Sequence, residues 1–417
     1  MKFSKLSQLF LVSFIGLIVA AFLTACNLVT VDYVFVAASA GNTAGSAGQI
    51  YTYASDSQSG ALRSAASSVS SGGTGPVALA VTPDYANLFV ANRGNNTIVQ
   101  FAIGDNGVLT QKNSTTLAAP VALAMNSAGT YLYAVSGTTS ATLTEYVLTS
   151  GAISSVAATV NLSLNCTSGS PNYPADAIVP TGVVVLANSD AVYVSAYDQS
   201  AYNPEGSTTS DANPSGWVFG LAVGSGGALS PAAKNCPITS STYRPYDLYQ
   251  AGVKPSALAT DPTNRFVYVT DFASNELIGY TVQSNGSLVF MSYALTKTGN
   301  EPSAVTIDPR GLYIYVANTL DSTVSAYSIS LPTGTPSAVV GSGNATDTGP
   351  GAIIVDPSLG RFVYTANYLG NSVSGFLLNP NSGTIAPTQA TPYLTGANPS
   401  AIVAIPHGNH ATQTTTP

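Results

Sequence analysis

Three features of the sequence predict an all-β fold of seven blades arranged radially. A segment opening at a proline recurs six times. Each copy alternates apolar and polar residues with the period of a half-buried strand. The two ends of the chain hold complementary parts of a seventh unit.

The six copies are PVALAVTPDYANLFVAN from Pro76, PVALAMNSAGTYLYAVS from Pro120, PTGVVVLANSDAVYVSA from Pro180, PSALATDPTNRFVYVTD from Pro255, PSAVTIDPRGLYIYVAN from Pro302 and PGAIIVDPSLGRFVYTAN from Pro350. In the first five, thirteen positions separate the proline from the aromatic of the second strand; the sixth has fourteen. First strands are short and rich in small residues, which suits the crowded wall of a central channel. Third strands follow as Ile98/Phe101, Leu143/Tyr146, Val218/Leu221, Leu277/Tyr280, Val324/Tyr327 and Val373/Phe376. Fourth strands open at Gly107, Gly151, Gly227, Gly286, Gly334 and Gly383, where glycine supplies the positive φ of a tight turn. Four antiparallel strands repeated radially describe a β-propeller blade.

The ends set the count. VDYVFVAAS (31–39) reads as a second strand, QIYTYA as a third and GALRSA as a fourth. The missing first strand is Pro399 to Ile405. A seven-bladed β-propeller over 31–406 follows, its ring closed by the C-terminal strand completing blade one. A polar tail spans 407–417.

Composition narrows the function. The chain has 417 residues, 45% hydrophobic and only 7% charged, against about 25% charged in average soluble proteins. A net charge of −7 and a pI near 4.6 argue against a nucleic-acid partner. The two histidines, His407 and His410, lie in the tail, so a Ser-His-Asp triad is not predicted. No metal-ligand cluster or phosphate-binding loop is present, and the reading assigns no metal and no cofactor.

Lys2 and Lys5 precede an apolar run, Leu9 to Phe22, which ends in Leu23-Thr24-Ala25-Cys26. This resembles the lipobox of bacterial lipoproteins. The resemblance implies a signal peptide over 1–25, a lipidated Cys26 and a short tether through residue 30. The expected location is the cell envelope, on the periplasmic or outer-membrane face, with the membrane as partner through the lipid. Cys166 and Cys236 remain, and two cysteines in an exported chain read as one disulfide. The propeller is expected to be a monomer.

The tetrads YVAN, YVTD, YTAN and FVAN, with the preceding SAxxxDP pattern, resemble the YVTN-type repeats of the lactonase-like seven-bladed propeller family. The resemblance spans essentially the whole mature chain. Family members include lactone hydrolases and a muconate cyclase, and their sites use charged channel residues, with histidine in some. The repeats themselves read as architecture. Tyr268, Tyr315 and Tyr364 recur at one packing position, and Asp261, Asp308 and Asp356 precede prolines as turn caps.

Function is therefore sought where the repeat breaks. Blade four carries a long insertion over 197–217, and the link into blade five spans 242–254. These suggest an interaction rim of Tyr197, Tyr202, Trp217, Tyr243, Arg244, Tyr246 and Tyr249. On the same face, Arg93, Asp198, Lys254, Asp271, Glu301, Asn318 and Asn367 are predicted to bind a ligand at the channel mouth. The primary expectation is an envelope-anchored binding or scaffold module for a small polar ligand, glycan or protein partner. The alternative is a lactone hydrolase resembling 6-phosphogluconolactonase, working through a carboxylate base and an Arg or Lys oxyanion partner.

Overall fold

A computed structural model describes residues 29–39, 45–164, 177–202, 215–230, 248–291 and 295–408. Among them the chain is β throughout, apart from two single 3-10 turns, Asp105–Gly107 and Ser225–Gly227. Seven antiparallel sheets form the blades, as the repeat predicts. In blade one, Thr30–Ala38 pairs with Gln49–Asp56 on one side and with the C-terminal Pro399–Pro406 on the other. Blades two to seven run outward from first strands Pro76–Val81, Pro120–Met125, Ile178–Val185, Pro255–Thr260, Pro302–Ile307 and Pro350–Val355. Each first strand lies against the first strand of the next blade, and Pro399–Pro406 completes the circle.

The antiparallel register defines two faces. Pro255 pairs with Asp271 and Pro302 with Asn318, so the prolines, the second-to-third turns and the links between blades share an upper face. The lower face holds the first-to-second turns and the third-to-fourth turns. Thr30 and Pro406 also lie there.

Neighbouring blades are joined by one recurring contact. A second-strand tyrosine reaches across and donates its hydroxyl to the carbonyl of the glycine turn of the next blade. Tyr193 reaches Gly286 at 2.5 Å, Tyr268 reaches Gly334 at 2.5 Å, Tyr315 reaches Gly383 at 2.9 Å and Tyr364 reaches Gly60 at 2.8 Å. These four rings are fully buried. Opposite them on the third strand stand Gly220, Gly279, Ala326 and Gly375, which leave the rings room. Blades one and two have Phe35 and Phe89 at this position and no hydroxyl to give. There the opposite third-strand residue is larger and polar and makes the same bond. Gln100 Nε2 donates to Gly151 at 2.9 Å, and Thr52 Oγ1 to Gly107 at 3.4 Å.

Blade three departs from both solutions. Tyr131 donates to Gly226 at 2.5 Å, while Tyr133 bonds Glu145 of its own blade at 3.0 Å. Glu145 is fully buried, and burial holds its carboxyl above the ordinary range.

The turn glycines cannot be replaced freely. Gly334 (φ 75°) and Gly383 (φ 71°) sit in the left-handed region. A Cβ there would collide with the rings of Phe266 and Tyr313 of the preceding blade.

A second set of bonds joins the inner ring. Ser256 donates to the Pro302 carbonyl at 2.6 Å, Ser303 to Pro350 at 2.8 Å and Ser400 to Pro76 at 2.5 Å. The aspartates of the Asp-Pro steps cap their turns as expected. Asp308 Oδ1 accepts from Leu312 and Tyr313 nitrogens, both at 2.7 Å.

The outer strands differ more than the repeat suggests. Blades one to three end in continuous strands, Leu62–Ser70, Leu109–Thr116 and Ala152–Asn161. In blades four to seven the outer edge is split into two short segments. One segment of blade four is Leu248–Gln250, paired with Gly216–Val223.

Two outcomes test this architecture. Tyr315→Phe should cost about 1 kcal/mol, the net value of one buried hydrogen bond, and Tyr315→Ala about 3–5 kcal/mol through the cavity it leaves, both read from urea unfolding. A chain ending at Gly396 lacks the closing strand and should lose cooperative unfolding and aggregate. One ending at Gly408 should melt like the full chain.

Candidate functional site

In blades two, four, five, six and seven the second strand ends on the upper face in a polar residue whose side chain is used inside the fold. Asp271 is fully buried and accepts four backbone N–H groups: Val253 at 2.7 Å, Lys254 at 2.9 Å, Ala273 at 3.1 Å and Ser274 at 3.4 Å. Asp198 accepts from the nitrogens of Ala177 and Ser200. Asn318 accepts from Gly299 N at 3.1 Å and donates to Thr323 and Ser325, and Asn367 donates to Ser372 and Ser374. Asn92 bonds Ser71 in the same manner. These side chains latch the second-to-third turn to the interblade link. The seven predicted mouth residues thus divide into two sets. Asp198, Asp271, Asn318 and Asn367 are buried, and their side chains are taken up by hydrogen bonds within the fold.

The following residue is placed differently. Its backbone N–H donates to the carbonyl of the residue that precedes the first strand, and six blades repeat the bond. Arg93 binds Gly75 at 2.9 Å, Gly137 binds Ala119 at 3.0 Å, and Gln199 binds Ala177 at 2.9 Å. Phe272 binds Lys254 at 2.9 Å, Thr319 binds Glu301 at 2.9 Å, and Tyr368 binds Gly349 at 2.8 Å. Two residues per blade therefore meet at the mouth. Their charged members among the described residues are Arg93 in blade two, Lys254 in blade five and Glu301 in blade six, all three singled out from the sequence. Lys254 and Glu301 stand on adjacent blades, with Arg93 three blades from either. Phe272, Thr319 and Tyr368 share the ring and escaped the sequence reading. Their signal was the position one residue past each latch. The first strands below carry no ionisable side chain.

Glu301 is held unusually. Its φ is 55°, and the residue ahead of a first-strand proline is left-handed at Gly75, Ala119, Gly349 and Asn398 as well. Glycine or asparagine adopts this conformation readily; a glutamate there is strained. The half-buried Glu301 carboxylate and the exposed Arg93 guanidinium have no hydrogen-bond or ion-pair partner among the described residues.

The Lys254 ammonium lies 5.6 Å from the ring centre of Tyr197, 5.1 Å from Tyr202 and 5.0 Å from Phe272. Tyr197 and Tyr202 meet edge-on at 5.6 Å, and burial pushes the Tyr197 hydroxyl up, keeping it neutral. Mouth and rim thus converge on Lys254, which three aromatic faces hold by cation–π attraction.

The remaining rim residues divide. Trp217 and Tyr249 are each 5% exposed and belong to blade packing, so the structure removes them from the rim. Tyr249 is buried because its segment adds to the edge of blade four instead of looping over the face. Tyr243, Arg244 and Tyr246 lie outside the described residues, as do Cys26, Cys166 and Cys236. A groove of about 520 Å³ lies on the flank of blade six, between Lys297, Asp321, Ser325 and Ser342. Its charged groups are already engaged, Lys297 with Glu276 and Asp321 with Asn300.

The model of the family described as lactonase, 7-bladed beta-propeller, matches residues 49–165, 235–342 and 260–412. The chain belongs to that family. No curated protein matches it. Among solved structures, a putative 6-phosphogluconolactonase from Bacteroides fragilis is similar at 15% identity and TM-score 0.69, covering 91% of this chain and 99% of that one. A periplasmic gluconolactonase from Pseudomonas aeruginosa is similar at 18% identity and TM-score 0.68, covering 90% and 99%.

The two sets of upper-face residues should respond differently to mutation. Asp271→Asn should cost about 2 kcal/mol in urea unfolding, because a charged acceptor of several N–H groups is weakened. Arg93→Ala should stay within about 0.5 kcal/mol.

Proposed function

We propose that the protein is a lactone hydrolase working at the upper mouth of the channel. One observation carries the reading. Among the described residues, Arg93, Lys254 and Glu301 are the charged side chains at mouth positions, and the fold uses none of their charges in an ion pair. Family membership supports it, as do the names of the similar structures from Bacteroides fragilis and Pseudomonas aeruginosa.

In this reading Glu301 takes a proton from water as the water attacks the lactone carbonyl. The Lys254 ammonium on the neighbouring blade steadies the oxyanion. The acyl–oxygen bond then breaks, and the ring oxygen leaves with the proton held by Glu301. The product is the open hydroxy acid. Arg93 faces the far side of the substrate and holds its polar end.

We extend the proposal to the location. Lipidation at Cys26 would anchor the chain at the cell envelope, and Cys166 would pair with Cys236 in that oxidising setting. Thr30 is on the lower face, so an anchor there would turn the mouth away from the membrane.

A second reading, a binding module, draws on the aromatic box around Lys254. Acid release from glucono-δ-lactone, followed by pH-stat, separates the two. Hydrolysis above the spontaneous rate is expected for the wild type. Glu301→Gln should lower kcat/KM by about a hundredfold or more. Glu301→Gly should be equally inactive yet fold at least as stably, because the left-handed strain is relieved. Unchanged turnover by Glu301→Gln would remove Glu301 as the base, and a wild type no faster than the spontaneous rate would remove the hydrolase assignment. Binding without turnover, weakened in Lys254→Ala, would favour the binding module.

A further inference from the structure

We propose that Asp32 and Asp356 share one proton across the junction of blades seven and one, forming a pH-sensitive clasp where the two ends of the chain close the ring. This inference is independent of the mouth chemistry. Asp32 lies in Thr30–Ala38, opposite Pro406 of the closing strand. Asp356 heads the first-to-second turn of blade seven. Both side chains are wholly buried.

The oxygens of Asp356 are occupied by its own turn. One accepts from Leu359 N at 2.7 Å and Gly360 N at 3.2 Å, the other from Arg361 N at 2.5 Å and Phe362 N at 2.7 Å. Ser358, from the same turn, donates its hydroxyl to Asp32 Oδ1. Asp32 Oδ2 is buried with no donor aimed at it, and the Ser358 contact sets the Asp32 carboxyl against the turn that Asp356 heads, where the Asp356 charge acts on it. Two ionised carboxylates can only accept, so side by side in a dry interface they repel. A single proton converts them into donor and acceptor.

The surrounding charges do not supply an alternative. Tyr364 of blade seven and Tyr85 of blade two are the other titratable groups coupled to Asp32, and both are neutral phenols held above their ordinary range by burial. His407 meets edge-on the ring of Tyr33, the next residue along the strand, whose side chain points to the opposite sheet face. Among the described residues no cation pairs with either aspartate.

Burial first, and then the Asp356 charge, hold the Asp32 carboxyl up at about 8. Burial raises Asp356 as well. The folded protein therefore binds the proton more tightly than the unfolded chain, whose carboxyl titrates near 3.8. The clasp contributes in full below that value, weakens as pH climbs, and is lost once pH passes about 8.

Thermal unfolding of the full chain between about pH 5 and 9.5 tests it. The wild-type Tm should fall by about 4 °C or more and level off once the clasp is fully ionised. Asp32→Asn puts a permanent N–H where the shared proton sits and should remove most of that fall. A flat or rising wild-type profile overturns the proposal, as does an Asp32→Asn profile parallel to it. If that variant does not fold, infrared difference titration in a Glu145→Gln background decides. A protonated-carboxyl stretch present at neutral pH and bleached in alkali supports the clasp, and its absence overturns it.

Discussion

The ring depends on a hydrogen bond from a buried side chain of one blade to the glycine-turn carbonyl of the next. These joints link the middle strands of neighbouring blades, as the serine bonds link the inner ones. A blade buries both faces only against its neighbours, so its apolar aromatics need a fixed angle and depth. The donor supplies that, and the left-handed glycine brings the acceptor close enough. The donor need not be conserved in type. Tyrosine serves in blades four to seven, glutamine in blade two and threonine in blade one, each with a complementary residue on the paired strand. A small residue accompanies the tyrosine, and a phenylalanine accompanies the polar side chain. The pair is the unit that the architecture preserves.

Much of this was legible in the sequence. The thirteen-residue spacing gave seven blades, their strand order and the closing strand, because a two-residue period and a glycine turn are local signals. The tyrosine joint was legible as packing at Tyr315 but not as a hydrogen bond, since its partner is a backbone carbonyl nearly seventy residues away. The exchange of Phe89 and Gln100 for a tyrosine and a small residue becomes visible only once strand register is known. Positions on the upper face were legible to within one residue. Asp271 and Phe272 are neighbours at a strand end, and spacing alone cannot tell which side chain turns inward to bind the link. Arg93, Lys254 and Glu301 were found because charges are scarce in this chain. Trp217 and Tyr249 misled because an irregular, aromatic stretch reads as surface, whereas Leu248–Gln250 completes a sheet edge.

Scarcity of charge also shapes the chemistry. The inner strands are neutral, and Asp261 and Asp308 are consumed by turns in which they also meet an arginine. Such a fold spends its carboxylates as acceptors of backbone N–H groups, where a chain richer in charge would leave them to solvent. The exceptions stand out physically. Glu301 occupies a strained backbone position without a structural partner, Glu145 sits where its neighbours carry glycine or glutamine, and Asp32 faces another acid. Each departs from the local rule at a junction between blades, where a single proton or a single donor changes how two rigid sheets meet.

The position of Thr30–Ala38 has a mechanical consequence. This strand is not an edge. It is hydrogen-bonded along its length to Gln49–Asp56 on one flank and to Pro399–Pro406 on the other. A load applied at Thr30 along the strand axis meets both ladders at once. It must shear two ladders together, whereas a terminal edge strand would peel away one bond at a time. The N-terminal end is therefore the point from which this ring can be pulled hardest before it opens.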